Sequence, residues 1–233
     1  MSSLEAELKS KTDLTPDVKI FRFEAEEKVG FEPGDHVTLT LKNEGKEISR
    51  PYNMINQPNG DQMLFAIRKY DDGKMSPLLH DLEEGENVEV SEPGGNLKIA
   101  SYEKDAVFIS TGTGATPMFD MLRDYLRNGN GKAHYFYGEK TKEDILFKDQ
   151  LEILKAENEG LEIYYSISDD GDWEGRTGHI QNYVPRELES MGDKVFYICG
   201  VPAMVVQTQS LLKGAGVEEE NIVTEGWEEG EVS

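Results

Sequence analysis

Near residues 99–104 the chain changes its hydrophobic rhythm, and that change limits the fold more than any other feature of the sequence. Upstream lie short β-rich runs at 18–23, 36–41, 63–68 and 87–90, separated by turn signals at 32–35, 58–60, 71–73 and 93–95. Many short strands at close spacing specify an antiparallel barrel or sandwich, here interrupted by one short helix near 76–82. Downstream, each apolar run leads into a helical pattern: 107–110 into 117–127, 133–137 into 144–158, 162–168 into about 178–184, and 195–198 into 202–214. Such alternation builds a parallel sheet covered by helices. The expectation is two domains, an antiparallel β-barrel over 1–100 and an α/β parallel-sheet domain over 101–233, which suits a chain of 233 residues.

Charge and cysteine content narrow the chemistry. With 46 acidic against 24 basic residues the formal charge is −22, which disfavours nucleic acid and anionic membranes as partners. Such acidity serves solubility in a salty cytoplasm or recognition of a basic partner. Cys199 is the single cysteine, so disulfide scaffolds, cysteine-ligated iron–sulfur clusters and cysteine-rich zinc sites are excluded within this chain. No metal site is expected. No run of about 18 apolar residues occurs and the N-terminus lacks the basic and apolar parts of a secretory signal. The expectation is a cytoplasmic monomer without membrane insertion.

The stretch VFISTGTGATPMFDML, 107–122, runs from buried strand through a glycine turn into an amphipathic helix. It approaches a dinucleotide fingerprint, but Pro117 stands where the third glycine allows close packing of helix on strand. Proline suits the first turn of a helix, while Gly112 and Gly114 let the backbone approach a bound group. Three companions accompany this turn. Arg50-Pro51-Tyr52-Asn53-Met54, placed at the start of a barrel strand, offers a guanidinium fork for a diphosphate and a tyrosine on the same strand face to stack on a planar ring. Asp72-Gly73-Lys74-Met75-Ser76-Pro77 is a glycine turn entering the short helix, with N–H groups and a hydroxyl suited to an anion or to ordinary capping. Cys199-Gly200-Val201-Pro202-Ala203-Met204 follows a buried strand, at the edge where open parallel sheets bind ligands.

In order and spacing these motifs resemble the ferredoxin–NADP reductase superfamily, whose R-x-Y-[ST] strand, G-x-x-[ST] turn, G-x-G-x-x-P turn and C-G-x-P-x-M segment follow one another along essentially the whole chain. The likeness is strongest to short bacterial-type ferredoxin or flavodoxin reductases, through Gly73–Pro77 and the TQSLLK segment at 208–213. The resemblance implies FAD on the N-terminal barrel, with Arg50 and the Gly73–Ser76 turn on its diphosphate and Tyr52 stacked on the isoalloxazine. Pro51, Asn53, Lys74 and Met75 fall in the same motifs, and Ile67, Arg68 and Lys69, which lie between them, are expected to bind the cofactor as well. It also implies that Gly112, Gly114, Thr116 and Pro117 line the nicotinamide cleft. Cys199 then sits near the hydride-transferring carbon, with Gly200 and Met204 in its segment. Asn53 stands where the family has a hydroxyl residue at the flavin N5 edge; its amide also donates a hydrogen bond. Trp227 stands where relatives place an aromatic over the flavin, and Glu225 at a family acidic position, so Cys199, Asn53 and Glu225 are the expected catalytic residues.

Relatives hold the NADPH 2′-phosphate with arginines after the second and third strands of the C-terminal domain. Here those places read Gly138-Glu139-Lys140, Ser168-Asp169-Asp170 and Gly178-His179-Ile180, and Arg176 lies nearby. Carboxylates suit the ribose hydroxyls of NADH and repel a phosphate, so NADH is favoured over NADPH, with Lys140, Ser168, Asp169 and Arg176 as the lining residues. The adenine side carries no strong signature, which leaves FMN beside FAD. Without cluster cysteines, the electrons must pass to a separate acceptor such as a ferredoxin or flavodoxin, docked by a basic patch near Lys42, Lys46, Arg68 and Lys69 or under salt screening. A free-flavin reductase, a reductase for a haem or oxygenase partner, and a non-catalytic flavin-binding electron-transfer subunit are the alternatives.

Overall fold

A computed structural model of the chain describes residues 3–57 and 60–225. It divides into two compact units, Met1–Gly95 and Asn96–Ser233.

The first unit contains β1 (Ser3–Asp13), β2 (Val18–Ala25), β3 (His36–Asn43), β4 (Lys46–Asn53), β5 (Gln62–Arg68), α1 (Ser76–Asp81) and β6 (Asn87–Ser91). All strand pairings are antiparallel, in the order β4-β3-β6-β1-β2-β5. Inward residues of successive strands, among them Leu8, Phe21, Phe23, Leu39 and Phe65, are fully buried. Phe23 and Phe65 meet edge to face at 6.0 Å, a favoured aromatic geometry. Beyond β4 the chain returns to β5, where the Ile55 N–H donates to the Leu64 carbonyl and the Leu64 N–H to Asn56 Oδ1. The helix α1 is fixed at its C-terminal end by Lys11, whose ammonium donates to the carbonyls of His80, at 2.8 Å, and Leu82. A cation there satisfies carbonyls that have no helical partner.

One strand of this barrel was hidden in the sequence and another was marked only by its motif. In β1 charged residues at 5, 7, 9 and 11 flank only two fully buried apolar positions, Ala6 and Leu8. The edge strand β4 shows almost no burial alternation, and Arg50 lies in its second half, not at a strand start.

The second unit contains β7 (Asp105–Thr111), α2 (Ala115–Asn128), β8 (Ala133–Glu139), α3 (Lys148–Glu157), β9 (Leu161–Ile167), β10 (Arg176–Thr177), α4 (Val184–Glu187), β11 (Lys194–Cys199), α5 (Pro202–Gly214) and β12 (Ile222–Thr224). The strands form one parallel sheet in the order β10-β9-β8-β7-β11-β12. Two helices differ from the pattern expectation. Residues 142–144 form a separate 3-10 turn capped reciprocally by Thr141 and Asp144, and Phe147 is left-handed at φ 57°, so α3 begins only at Lys148. The segment expected to be helical near 178–184 is a 3-10 turn at Ile180–Tyr183 that runs into the four-residue α4. Among the described residues no helix is long and apolar enough to cross a membrane.

The N-terminal edge of this sheet is held by charge. Asp105 and Lys194 open the neighbouring strands β7 and β11 and face each other in register. The Lys194 ammonium donates to Asp105 Oδ2 at 3.1 Å, and the Lys132 N–H donates to Oδ1 at 2.8 Å. Burial pushes the Asp105 carboxyl up, but these two donors outweigh it and hold it below its ordinary 3.8. A depressed folded pKa contributes stability above the unfolded value that is lost as pH falls through the folded one. Asp105→Asn is therefore expected to lower unfolding free energy at pH 7 by about 1–3 kcal/mol, the cost of leaving a partly buried charged donor poorly paired. In urea titrations the gap between wild type and variant should close as pH drops below 3.8; a pH-independent gap refutes the linkage.

Candidate functional site

The C-terminal edge of the second sheet is built from backbone packed against backbone. β7 ends at Thr111, and the chain turns through a 3-10 turn at Gly112–Gly114 directly into α2, with Pro117 buried in the first helical turn. β11, the neighbour of β7, ends at Cys199 opposite Ser110. A Cβ at Gly114 would stand 2.3 Å from the Cys199 carbonyl oxygen, so only glycine permits this approach. Gly200 has φ +150°, and a Cβ there would meet Thr111 Oγ1 at 2.4 Å. The Val201 N–H donates to the same Thr111 oxygen at 3.1 Å. Thr116 turns its hydroxyl back to the Thr113 carbonyl at 2.8 Å and is 5% exposed, so it braces the turn from beneath.

Cys199 is partly exposed as a residue, yet its thiol is enclosed. Burial pushes the thiol up to about 12, the Glu225 carboxylate adds to the rise, and the Gly200 N–H opposes it. The side chain is a neutral S–H at physiological pH, a polarisable surface and not a thiolate. Glu225, just beyond β12, accepts the Asn96 N–H at 3.2 Å. The two expected catalytic groups of this unit thus lie within electrostatic reach of each other. Trp227 lies outside the described residues. Met204 is 5% exposed and belongs to the core beneath α5, its sulfur accepting the Thr208 hydroxyl at 3.3 Å; it supports the edge without lining it.

Further along the same edge the ends of β8 and β9 adjoin. The Ser168 N–H donates to the Glu139 carbonyl at 3.0 Å and the Asp169 N–H to the Lys140 carbonyl at 2.8 Å, leaving the side chains of Lys140, Ser168 and Asp169 exposed together. Asp170 is engaged by the Asp172 and Lys142 N–H groups. Arg176 is placed elsewhere. Its Nε and Nη2 donate to Glu187 Oε1 at 2.9 and 2.7 Å, and its guanidinium lies over the rings of Tyr164 and Tyr183. Tyr164 lies within β9, four residues before Ser168, so Glu187 and this ring hold the guanidinium over the strand.

In the first unit, register decides the orientation of the expected flavin residues. Tyr52 stands opposite Val37 and Arg50 opposite Leu39, so both share the inward face of β4 with core residues, whereas Pro51 is exposed opposite Thr38. Because β4 is an edge strand, this inward face opens at its rim. Arg50 is exposed and donates to the Ser49 carbonyl at 2.7 Å, while Tyr52 packs on the core. Burial raises the Tyr52 phenol to about 12 against the opposing pull of Arg50, so it is a neutral ring. Arg50 and Lys74 line one cavity of about 400 Å³ together with Lys46, Ser49 and the carboxylates Glu44 and Glu47. Three cations against two carboxylates leave the cavity a small positive excess, and Arg50 brings the planar fork of donors that suits a diphosphate.

The Gly73–Ser76 turn is closed from within. The Gly73 N–H donates to the Tyr70 carbonyl at 2.9 Å, and the Tyr70 N–H donates to Ser76 Oγ at 3.1 Å. Asn53 donates its amide to the Gly34 carbonyl at 3.0 Å, which orients the side chain by the loop before β3. Ile67 and Met75 are each 2% exposed and act as floor. Arg68 pairs with Asp17 at 3.0 Å and Lys69 with Asp81 at 3.8 Å. One contributor was not legible beforehand: Thr111, masked by the glycines that follow it. Lys46, expected in a docking patch, instead shares the cavity of Arg50, four residues along the same strand. Among the described residues no group of acidic, histidine or cysteine side chains is arranged to hold a metal.

Comparison with known proteins agrees with this division of labour. Residues 5–99 match the oxidoreductase FAD-binding domain model and residues 108–210 the oxidoreductase NAD-binding domain model. The chain is 32% identical to ferredoxin–NADP reductase B of Sorangium cellulosum, over 96% of this chain and 97% of that protein. It is 30% identical to NADH-cytochrome b5 reductase 2 of Candida albicans, covering 86% and 71% respectively. Among solved structures, the CS-b5R domains of human Ncb5or in the NAD+ form superpose with a TM-score of 0.88 at 29% identity, covering 96% of this chain and 69% of that one. With both domain models matched in order and this likeness along the whole chain, the chain belongs to the ferredoxin–NADP reductase superfamily of FAD- and NAD-binding oxidoreductases.

Proposed function

We propose that this protein is an NADH-dependent flavoprotein reductase that passes electrons to a separate protein acceptor. The observation that carries the reading is the glycine junction, where the Gly112–Gly114 turn meets Cys199–Gly200 and leaves bare backbone beside an enclosed, neutral thiol. FAD, when bound, would supply the redox chemistry between the two-electron nicotinamide and the acceptor. The protein positions. Arg50 and Lys74 would face the diphosphate, Tyr52 presents an uncharged ring, and the Asn53 amide is held by the Gly34 and Asp35 carbonyls at the end of the same strand. Cys199 offers an uncharged, polarisable contact, kept protonated by burial with Glu225 adding to the effect.

The preference for NADH rests on the exposed Asp169 carboxylate beside Ser168 and on the engagement of Arg176 by Glu187. A 2′-phosphate would meet a carboxylate there, with Lys140 as the opposing cation. The resemblance of the chain to proteins named for NADH and for an NAD+ form supports the same preference. The acceptor is harder to match. Lys42 lies near Glu47 and Glu89, Arg68 is paired with Asp17 and Lys69 with Asp81, so three of the four candidate docking cations face carboxylates of their own. An acidic ferredoxin or flavodoxin then meets net repulsion that salt screens. The cytochrome b5 reductase relatives support a haem protein as the second acceptor class.

Three outcomes follow from this reading. Purified protein with FAD should be yellow and bleach under NADH without air, with kcat/KM for NADH above that for NADPH; a tenfold preference for NADPH contradicts the assignment. Bleaching also separates a reductase from a non-catalytic flavin subunit. Cys199→Ala should retain its flavin yet lose roughly tenfold or more in kcat, as expected when a contact that aligns two reacting rings is removed; equal loss of flavin and activity points to a packing role instead. Finally, the rate of reduction of an acidic ferredoxin should rise between low and moderate ionic strength, and a monotonic fall would show that attraction, not repulsion, governs docking.

A further inference from the structure

We infer that Thr111 is a positioning residue for hydride transfer, holding the Cys199–Gly200–Val201 segment at its place on the sheet edge through its hydroxyl oxygen. This rests on the reductase reading above and adds to it the element that fixes the thiol.

Val201 gives the segment no apolar anchor, because its side chain is 55% exposed. Gly200 has no side chain. The ladder holds the segment as far as Cys199 opposite Ser110; beyond it, Gly200 and Val201 are tied to the end of β7 by the hydrogen bond from the Val201 N–H to Thr111 Oγ1 at 3.1 Å and by the close packing of Gly200 on the same oxygen. Val201 also starts α5, its carbonyl accepting the N–H groups of Met204 and Val205 at 2.9 and 3.1 Å. One hydroxyl therefore connects the end of β7 to both the thiol segment and the helix that follows it.

The Thr111 rotamer is itself determined. Thr111 pairs with Gly138 across the β7–β8 ladder, and an added Cβ at Gly138 would approach Thr111 Cγ2 to 3.2 Å. The methyl group thus occupies room that glycine leaves open on one side, which turns the oxygen toward β11. A β-branched side chain has few χ1 choices, so a packed methyl sets the direction of its hydroxyl. A serine keeps the acceptor but loses the methyl guide, a valine keeps the shape and loses the acceptor, and an alanine loses both.

In anaerobic stopped-flow experiments on the FAD-loaded protein, Thr111→Ala and Thr111→Val should each slow flavin reduction by NADH roughly tenfold, the factor that corresponds to one lost hydrogen bond. Flavin content and the Kd for NADH should stay near wild type, and Thr111→Ser should recover most of the rate. Val201 has φ −60°, which proline adopts without strain, so Val201→Pro removes the donor from the other side. The double variant Thr111→Ala/Val201→Pro should then be no slower than Thr111→Ala alone, because both changes delete one interaction. A serine variant as slow as alanine, additive losses in the double variant, or a loss confined to Kd or thermal midpoint overturns the proposal. If Thr111→Ala fails to fold, the valine and serine variants decide by the same criteria. Wild-type protein that binds FAD but is reduced by neither NADH nor NADPH overturns the reductase reading itself.

Discussion

The contact between Gly114 and the carbonyl of Cys199 is the constraint on which the second unit depends. Two strand ends meet there with no side chain between them, at a separation where any Cβ would collide with backbone. Such an approach requires β7 and β11 to be neighbours in register, and the ladder from Lys194 opposite Asp105 to Cys199 opposite Ser110 provides that register. The two ends of this ladder have opposite characters. At the start of the strands, side-chain charge closes the edge through Asp105, Lys194 and the Lys132 N–H. At their finish, side chains are absent or drawn inward, and the chain passes through the Gly112–Gly114 turn directly into α2. A parallel sheet concentrates ligand binding at its C-terminal edge, and here the stabilising ion pair sits at the other edge, where it does not compete with a bound anion.

Electrostatics reinforce the division. The chain carries −22 formal charge, yet most cations of the first unit that a docking patch would need are already held by carboxylates. Exposed pairs of this kind add little stability, but they cancel local positive potential. The cation placed toward the flavin motif is different. Arg50 donates to a neutral carbonyl, that of Ser49, a contact that leaves its charge uncompensated. Cys199 shows the same economy in the opposite sense, since burial and Glu225 keep it neutral in a strongly acidic protein.

What the sequence revealed depended on how local the determining physics is. The strand, glycine turn and helix around Gly112–Pro117 are set by neighbours in the chain, and they stand in the structure much as the pattern implied. β4 was visible only through its Arg50–Asn53 motif, because an edge strand with one exposed face and an open rim has no burial alternation to display. Arg176 illustrates the limit for side chains. Its place in the sequence suggests the dinucleotide edge, but Glu187 lies eleven residues on, and only the fold of β10 and α4 brings that carboxylate to the guanidinium. Met204 was legible as part of a motif and not as core, since burial of a helix face depends on the partners packed below it.

Thr111 was illegible for a related reason. In the string STGTG a hydroxyl residue among glycines reads as turn composition, and nothing local shows that its oxygen accepts a hydrogen bond from a residue 90 positions later. The same oxygen occupies the space that Gly200 leaves empty, so the glycine in one motif is explained by the threonine preceding the other. Two segments that look like separate signatures in the sequence are therefore one physical object. Each glycine is required by the backbone or side chain of the other segment, and a change in either is felt at the thiol they hold between them.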